Sequence, residues 1–484
     1  MRGLWLRLLA GALLVVCATA SATAFAALRE VDTVVKALKT QTRLDLGPEL
    51  AEADAGRPQT LMLIGSDQRA KTARDADAGA RSDTVILVRL DPAKGATALM
   101  SLPRDLKVEI PGHGTDKLNA AYSLGGSRLT LRTVKALTGL KINHVVNVDF
   151  GGFREAVDAV GCVYADIDRR YYNDNTTGPE RYATIDVRQG YQRMCGSDAL
   201  DYVRYRHTDN DLVRAARQQD FLRQAKQQVG PGRILRDREE LVRVFGRHTQ
   251  SDIDSRAGVL RLIKLVVASA RQPIREVHFE GEIGPSYFTS SSRRVKKLAR
   301  EFLGTEATRG PRPGADTGRS TRRRRASRRR RRGGRRVVVD AAAEGRAQRL
   351  QAVAEGVRFR VFYPRVKAPG SSYADAPRVY GIRTPPTDEH ARGRVHNAYR
   401  LVVHRGMIGE YYGVQGTTWR DPPILEDPSE VRRLGGRRFE LHYDGDRLRL
   451  VAWRTRDGAY WVSNTLLQSL SERQMIEIAR STAS

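Results

Sequence analysis

The chain has 484 residues, a hydrophobic content of 40% and a formal net charge of +29. That length excludes a single ordinary domain, the apolar content is enough for genuine cores, and the charge excludes a protein without anionic company. Nucleic acid, a phospholipid surface and a phosphorylated polymer are the partners such a charge admits.

The first 28 residues narrow the choice. Arg2 and Arg7 are followed by an uncharged run of 21 residues from Leu8 to Leu28, close to the roughly 20 needed to cross a bilayer. The two arginines place the N-terminus in the cytoplasm. The richness in Ala, Ser and Thr also fits a cleaved signal peptide. Both readings export everything that follows, and residues 1–28 are taken as a membrane anchor. Export argues against nucleic acid as the partner of the positive charge. It also makes a disulfide between Cys162 and Cys195 the expected state, with two buried thiols as the alternative.

Residues 29–57 are polar and Ala-rich with a weak helical period, as in a stalk. From residue 58 the texture changes. "LMLIG", "TVILVRL", "ATALMSL" and "HVVNVDF" are short β-prone runs, and "LTLRTVKALTGL", "RQQDFLRQAKQQV" and "VKKLAREFLG" carry helical periodicity. Strands alternating with helices predict a layered α/β domain over residues 58–305. Within residues 306–340 the low-complexity stretch 310–336 holds eleven arginines between Thr321 and Arg336 and nothing apolar to bury, which predicts a disordered linker. Residues 341–484 are dominated by β-prone segments with turns at "DGD" and "DGAY" and end in the helical "SERQMIEIARS". They predict a separate β-rich domain. Its Trp453, Tyr460 and Trp461 suit a β-domain core better than a glycan-binding surface.

Four blocks place Asp and Arg at element ends, where sites in α/β sheets are usually built. Asp67 and Arg69 follow the first strand, Arg81 and Asp83 precede the second, and Arg104 and Asp105 follow the third. The fourth block, "RYRHTDNDLVRAARQQ", holds Arg204, Arg206, Arg214 and Arg217 before Gln218. Clustered guanidinium groups repel unless an anion neutralises them, and their donor fork matches phosphate oxygens. Asp67 and Asp83 are the natural pair for Mg²⁺, which binds through one or two carboxylates plus phosphate oxygens. A helix beginning near Asp211 lines up Arg214, Arg217 and Gln218 as one polar stripe and aims its N-terminus at the same anion. A solvated helix face has the same composition.

The blocks "GSDQR", "RSDT", "SLPRD", "DKLNAAYSLGG", "VDFGGFREAVDAVGCV" and "ALDYVRYRHTDNDLVRAARQQ" together resemble the LytR–CpsA–Psr family, in that family's order. The resemblance implies an α/β/α catalytic domain whose apolar interior takes a polyprenyl tail. It implies a membrane-anchored, extracytoplasmic transferase of cell-wall biogenesis. Such an enzyme moves a glycopolymer from a polyprenyl-pyrophosphate carrier to peptidoglycan or a related cell-wall acceptor, forming a phosphodiester. By position, Asp67 and Asp83 match Mg²⁺-associated aspartates, and Arg81 and Arg104 match arginines near the pyrophosphate. Arg206, Arg214 and Gln218 match the last motif. Arg69, Lys117, Asn119, Arg204 and Arg217 sit in matching motifs as substrate-binding candidates, and Asp105 joins Asp67 as a candidate general base. The loop between Asp67 and Asp83 is longer than is common in the family. The arginine linker is expected to tether the chain to anionic lipid or wall polymer. The rival readings are a polyprenyl-pyrophosphate pyrophosphatase and, against the export signal, a nucleic-acid-binding regulator.

Overall fold

The computed structural model describes residues 44–484 apart from 53, 55, 67–81, 95–96, 177–182, 207–208, 305–336, 386–392, 407–408 and most of 230–273. The anchor, most of the stalk and the arginine linker therefore lie outside the described residues. No described helix is long and apolar enough to cross a membrane.

In chain order the first unit runs β1 (Gln59–Ser66), β2 (Ser82–Leu90), β3 (Thr97–Leu102), β4 (Lys107–Ile110), β5 (Gly114–Lys117), α1 (Leu118–Thr138), β6 (His144–Asp149), α2 (Phe150–Ala159), β7 (Val163–Ile167), β8 (Tyr171–Asn173), β9 (Ile185–Val187), β10 (Gly190–Met194), α3 (Gly196–Arg204), α4 (Asp211–Gln228), β11 (Thr249–Ser251), β12 (Ile274–Val277), β13 (Glu282–Ile283), β14 (Phe288–Thr289) and α5 (Ser292–Leu303). Its main sheet has the order β11-β6-β1-β2-β3-β12, with β1/β6 and β3/β12 parallel and the other pairs antiparallel.

Strand periodicity builds the two layers. Met62 and Ile64 of β1, Val85 and Leu87 of β2 and Ala98, Met100 and Leu102 of β3 point to one face, where they meet α1 and α5 in the main core. Leu63 and Ile86, one residue out of step, point to the other face toward Phe150, Phe153, Leu200 and Phe221. Helices α2, α3 and α4 lie on that side. The result is the layered α/β/α arrangement expected from the alternation of runs.

Residues 44–52 are not a free stalk. Leu46 is 2% exposed inside the main core, and Ala51 N–H donates to Ile142 O at 2.8 Å. The apolar Leu44, Leu46 and Leu50 are what sequence periodicity undercounted.

The second unit runs β15 (Val339–Asp340), α6 (Ala342–Ala354), β16 (Val366–Lys367), β17 (Ser371–Tyr373), β18 (Arg378–Arg383), β19 (Val395–Arg405), β20 (Tyr411–Thr417), β21 (Glu430–Leu434), β22 (Arg437–Asp444), β23 (Arg447–Arg454), β24 (Ala459–Ser463) and α7 (Glu472–Arg480). Eight of its strands form one antiparallel sheet. Both faces of that sheet are covered. Tyr399, Leu401, Trp453, Tyr460 and Val462 pack under α6 and α7. Ala398, Leu450, Ala452 and Trp461 pack instead against Tyr164 and Tyr191 of the first unit. Trp453, Tyr460 and Trp461 are each 0% exposed, so these aromatics are core. Ser471 and Gln474 form the capping box that starts α7.

The seam between the units is polar at its centre. Arg400 is fully buried and donates to Asp166 Oδ1 at 3.1 Å and to Ser463 Oγ at 2.8 Å. Trp461 Nε1–H donates to Asp166 Oδ2 at 3.1 Å. Gln415 Oε1 accepts from Tyr191 N–H at 3.2 Å and from Tyr380 OH at 3.1 Å.

The cysteines are joined, Cys162 to Cys195, across a sequence separation of 33 residues. Replacing both by serine should destabilise the full chain by about 3–4 kcal/mol, from the loop-closure entropy of that separation, measured by urea unfolding under non-reducing conditions. Arg400→Leu strips a buried carboxylate of its counterion and should cost about 3–5 kcal/mol in the same measurement.

Candidate functional site

The strand ends and the N-terminus of α4 converge. Asn210 caps α4, its side chain accepting from Val213 N–H at 3.0 Å. The helix therefore starts at Asp211, with its free N–H groups beside the loop after β3. That loop is tied to it: Asp105 N–H donates to Asp211 Oδ2 at 2.8 Å.

Two adjoining spaces result. The first is an apolar cavity of about 160 Å³ between the sheet and α2–α4, lined by Leu63, Ile86, Phe150, Phe153, Leu200 and Phe221, with Arg204, Arg214 and Gln218 as polar groups in its wall. The second is a polar cleft of about 230 Å³ lined by Arg104, Asp105, Lys117, Arg206, Asp211 and Arg214, and walled by Ile283–Phe288 of the β13–β14 hairpin. Arg214 lines both.

The cleft's charges form a chain. Arg214 Nη2 donates to Asp211 Oδ1 at 2.6 Å. Arg104 Nε lies 3.5 Å from both Asp211 Oδ1 and Asp105 Oδ2. Lys117 Nζ reaches Asp105 Oδ1 at 3.0 Å. Burial pushes the Asp105 carboxyl up, but the Lys117 hydrogen bond and the charges of Arg104 and Arg214 outweigh it and hold the group below the usual carboxylate range. Four cations, Arg104, Lys117, Arg206 and Arg214, thus stand with three carboxylates, Asp105, Asp209 and Asp211, and Asp209 is already taken by Arg169 and Arg217, leaving an excess that suits an anion.

The other expected residues divide. Gln218 donates to Thr84 Oγ1 at 2.9 Å and to Val203 O at 3.1 Å, which fixes it at the cavity wall. Arg204 pairs with Asp201 at 2.9 Å at the cavity's edge. Asn119 acts through its backbone, donating to Arg104 O at 3.0 Å. Asp67, Arg69 and Arg81 lie outside the described residues, as does the long loop between Asp67 and Asp83. Asp83 is the extra residue where the β1–β2 register slips, between Gly65↔Thr84 and Ser66↔Ser82. In the sequence Asp67 directly follows Ser66, the last residue of β1.

The polar stripe on α4 is split. Arg214 and Gln218 face the cavity, whereas Arg217 is 0% exposed and turned away from both spaces. It donates to Asp209 and to Tyr205 O. Its guanidinium sits 4.7 Å from the Tyr171 ring centroid, 5.6 Å from Tyr202 and 5.7 Å from Tyr205. Arg169 holds the other Asp209 oxygen. Burial pulls the Arg217 pKa down, but Asp209 offsets it and the guanidinium stays charged. Arg217 therefore shapes the 205–211 segment rather than touching a ligand. Sequence reasoning passed over Asp209, Thr84 and the three tyrosines. The only local signal was a pair of aspartates lying among arginines.

Arg217→Lys should lower stability by about 3 kcal/mol or more by leaving Asp209 and Tyr205 O short of donors, read by thermal unfolding. Arg214→Ala should leave stability within about 1 kcal/mol and weaken binding of a prenyl pyrophosphate at least about 10-fold, the cost of one charged hydrogen bond, read by calorimetric titration.

Comparison with known proteins gives the family of the chain. The family model described as "LytR_cpsA_psr family" matches residues 19–302. A polyisoprenyl-teichoic acid–peptidoglycan teichoic acid transferase, TagU of Oceanobacillus iheyensis, is 29% identical over 62% of this chain and 94% of its own length. TagT of Bacillus subtilis, of the same description, is 25% identical over 52% of this chain and 79% of its own. A solved structure of the LytR-CPS2A-psr family protein YwtF (TagT), with bound octaprenyl pyrophosphate lipid, superposes with a TM-score of 0.41 at 22% identity, covering 55% of this chain and 98% of that one. The matched residues take in both the apolar cavity and the cationic cleft, and the chain belongs to the LytR–CpsA–Psr family.

Proposed function

We propose that this chain transfers a glycopolymer from a polyprenyl-pyrophosphate carrier to a hydroxyl of peptidoglycan or a related cell-wall acceptor. The observation that carries the reading is that an apolar cavity and a cationic cleft lie side by side, with Arg214 in the wall of both. A carrier lipid has the same order of parts: an apolar tail, a pyrophosphate and a polar glycan. The names borne by the TagU and TagT relatives support the same chemistry.

In the reaction the acceptor oxygen forms a bond to the glycan-bearing phosphorus. The bond from that phosphorus to the bridging oxygen breaks, polyprenyl phosphate leaves and the hydroxyl gives up its proton. Arg104, Arg206, Arg214 and the N-terminus of α4 supply positive charge where the leaving phosphate develops negative charge. Asp105 and Asp211 keep the arginines spread and oriented. Asp105 is a poor proton acceptor, because Lys117 and two arginines already hold it ionised.

Among the described residues, the three carboxylates of the cleft, Asp105, Asp209 and Asp211, are engaged by cations. Asp67 and Asp83 are the acids suited to hold Mg²⁺. That ion, when bound, would neutralise phosphate oxygens. Residues 1–28 would anchor the chain with this site outside the cell. The arginines of 306–340 would rest on anionic lipid or wall polymer, an attraction that salt should weaken.

The test uses the full chain in detergent with a polyprenyl-pyrophosphate-linked oligosaccharide, Mg²⁺ and peptidoglycan fragments, with products followed by mass spectrometry. A phosphodiester-linked glycan is expected, with Asp83→Ala and Arg206→Ala each lowering the rate at least about 100-fold. Hydrolysed carrier without a glycan–acceptor product would replace the transferase by a pyrophosphatase.

A further inference from the structure

At the seam between the two units, where β12 meets β22, three side chains converge. Glu276 stands on β12, His278 follows the end of that strand, and Asp444 ends β22 of the second unit. One donor atom from each lies within 4.8 Å of the other two. Glu276 and Asp444 are each only 7% exposed.

Each carboxylate is held by one oxygen and leaves the other for the centre. Arg223 Nε donates to Glu276 Oε1 at 2.7 Å, and Gln468 Nε2 donates to Asp444 Oδ2 at 2.9 Å. Glu276 Oε2 faces His278 Nε2 at 3.6 Å. His278 Nε2 and Asp444 Oδ1 have no hydrogen-bond partner among the described residues, although both atoms are buried. A buried carboxylate oxygen without a donor is costly, and here it points at an imidazole nitrogen and a second carboxylate. Outer hydrogen bonds such as these on the far oxygen of the two carboxylates are the pattern by which metal sites orient their ligands.

The geometry points to a divalent-metal site at this seam, formed by Glu276, His278 and Asp444, of the class that takes Zn²⁺. One nitrogen and two oxygen donors fit zinc better than Mg²⁺ or Ca²⁺, which prefer oxygen alone. Donors about 2.0–2.1 Å from a tetrahedral zinc are roughly 3.3 Å apart, near the 3.6 Å between Glu276 and His278. Water fills the fourth position. The nearby arginines set the competition. Arg223 is already engaged by Glu276 and Asp220. Arg449, buried beside Asp444 and Glu276, is the rival occupant. The second clustered set, Asp158 with Cys162 and Cys195, is excluded by the disulfide.

The site differs from the Mg²⁺ position proposed above and does not depend on it. A bound metal would tie the second unit to the strand that leads into the β13–β14 hairpin.

The experiment takes the full chain without an affinity tag, stripped with chelator, and titrates it with Zn²⁺ and with Co²⁺. One equivalent of Zn²⁺ should bind with a rise in Tm of several degrees, and Co²⁺ should give the strong visible bands of a tetrahedral site. Asp444→Asn and His278→Gln should each weaken Zn²⁺ at least 10-fold and abolish those bands, while Asp83→Ala retains both. Asp444→Asn keeps an acceptor for Gln468, and the Tm of each metal-free variant checks its folding. Absence of Zn²⁺ binding by the unaltered chain would overturn the proposal. So would binding unchanged in both variants, and so would a Co²⁺ spectrum without tetrahedral bands.

Discussion

A guanidinium inside a protein needs partners, and the buried Arg217 finds them at both of its terminal nitrogens. Asp209 and Tyr205 O take its hydrogen bonds, and Tyr171, Tyr202 and Tyr205 surround it with ring faces. Those partners come from β8, α3 and the segment after α3, so the buried pair fixes how three parts of the chain meet. With 205–211 held, Asn210 is in place to cap α4, and the helix projects Arg214 and Gln218 toward the cavity. A lysine at 217 keeps the charge but not the fork of donors. Arg214, which lines both spaces, is thus oriented by an arginine that lines neither.

Helix α4 extends this logic along its length. Its first turns form the cationic wall. Farther along, Gln224 Oε1 accepts from Asp166 N–H at 3.0 Å, and Gln228 bonds the backbone N–H and C=O of Tyr164. These contacts saturate the edge of β7 at the residues the second unit covers. Arg223, on the same helix, pairs with Glu276. A helix so polar would be read as a surface element, yet Arg214, Arg217, Gln218, Gln219, Arg223 and Gln224 are all buried. Each has a defined role only because tertiary structure supplies it with a partner.

This explains what could be read from the chain alone. The sheet strands were legible because their apolar residues alternate or run continuously over short lengths. The start of α4 was legible because Asn210 and Asp211 carry a helix-start signature. The separate fates of Arg214 and Arg217 were not, since a three-residue spacing tells that both lie near one face without telling what covers each. The tyrosines around Arg217 and the Thr84 hydroxyl that holds Gln218 lie on other elements, beyond any local pattern. Leu46 was hidden in the same way, because an isolated leucine in a polar stretch has no period to reveal its burial. The docking of the second unit rests on pairs such as Asp166 and Arg400, 234 residues apart, which composition cannot connect.

That separation bears on how the protein is made. Asp166 is buried in the first unit, yet two of its partners, Arg400 and Trp461, follow it by 234 and 295 residues. While the first unit stands alone, this carboxylate is still hydrated and the ring faces of Tyr164 and Tyr191 are still wet. The seam can dry and close only once the last strands have been made, so a chain terminated before Trp461 would carry an unsealed face open to proteolysis.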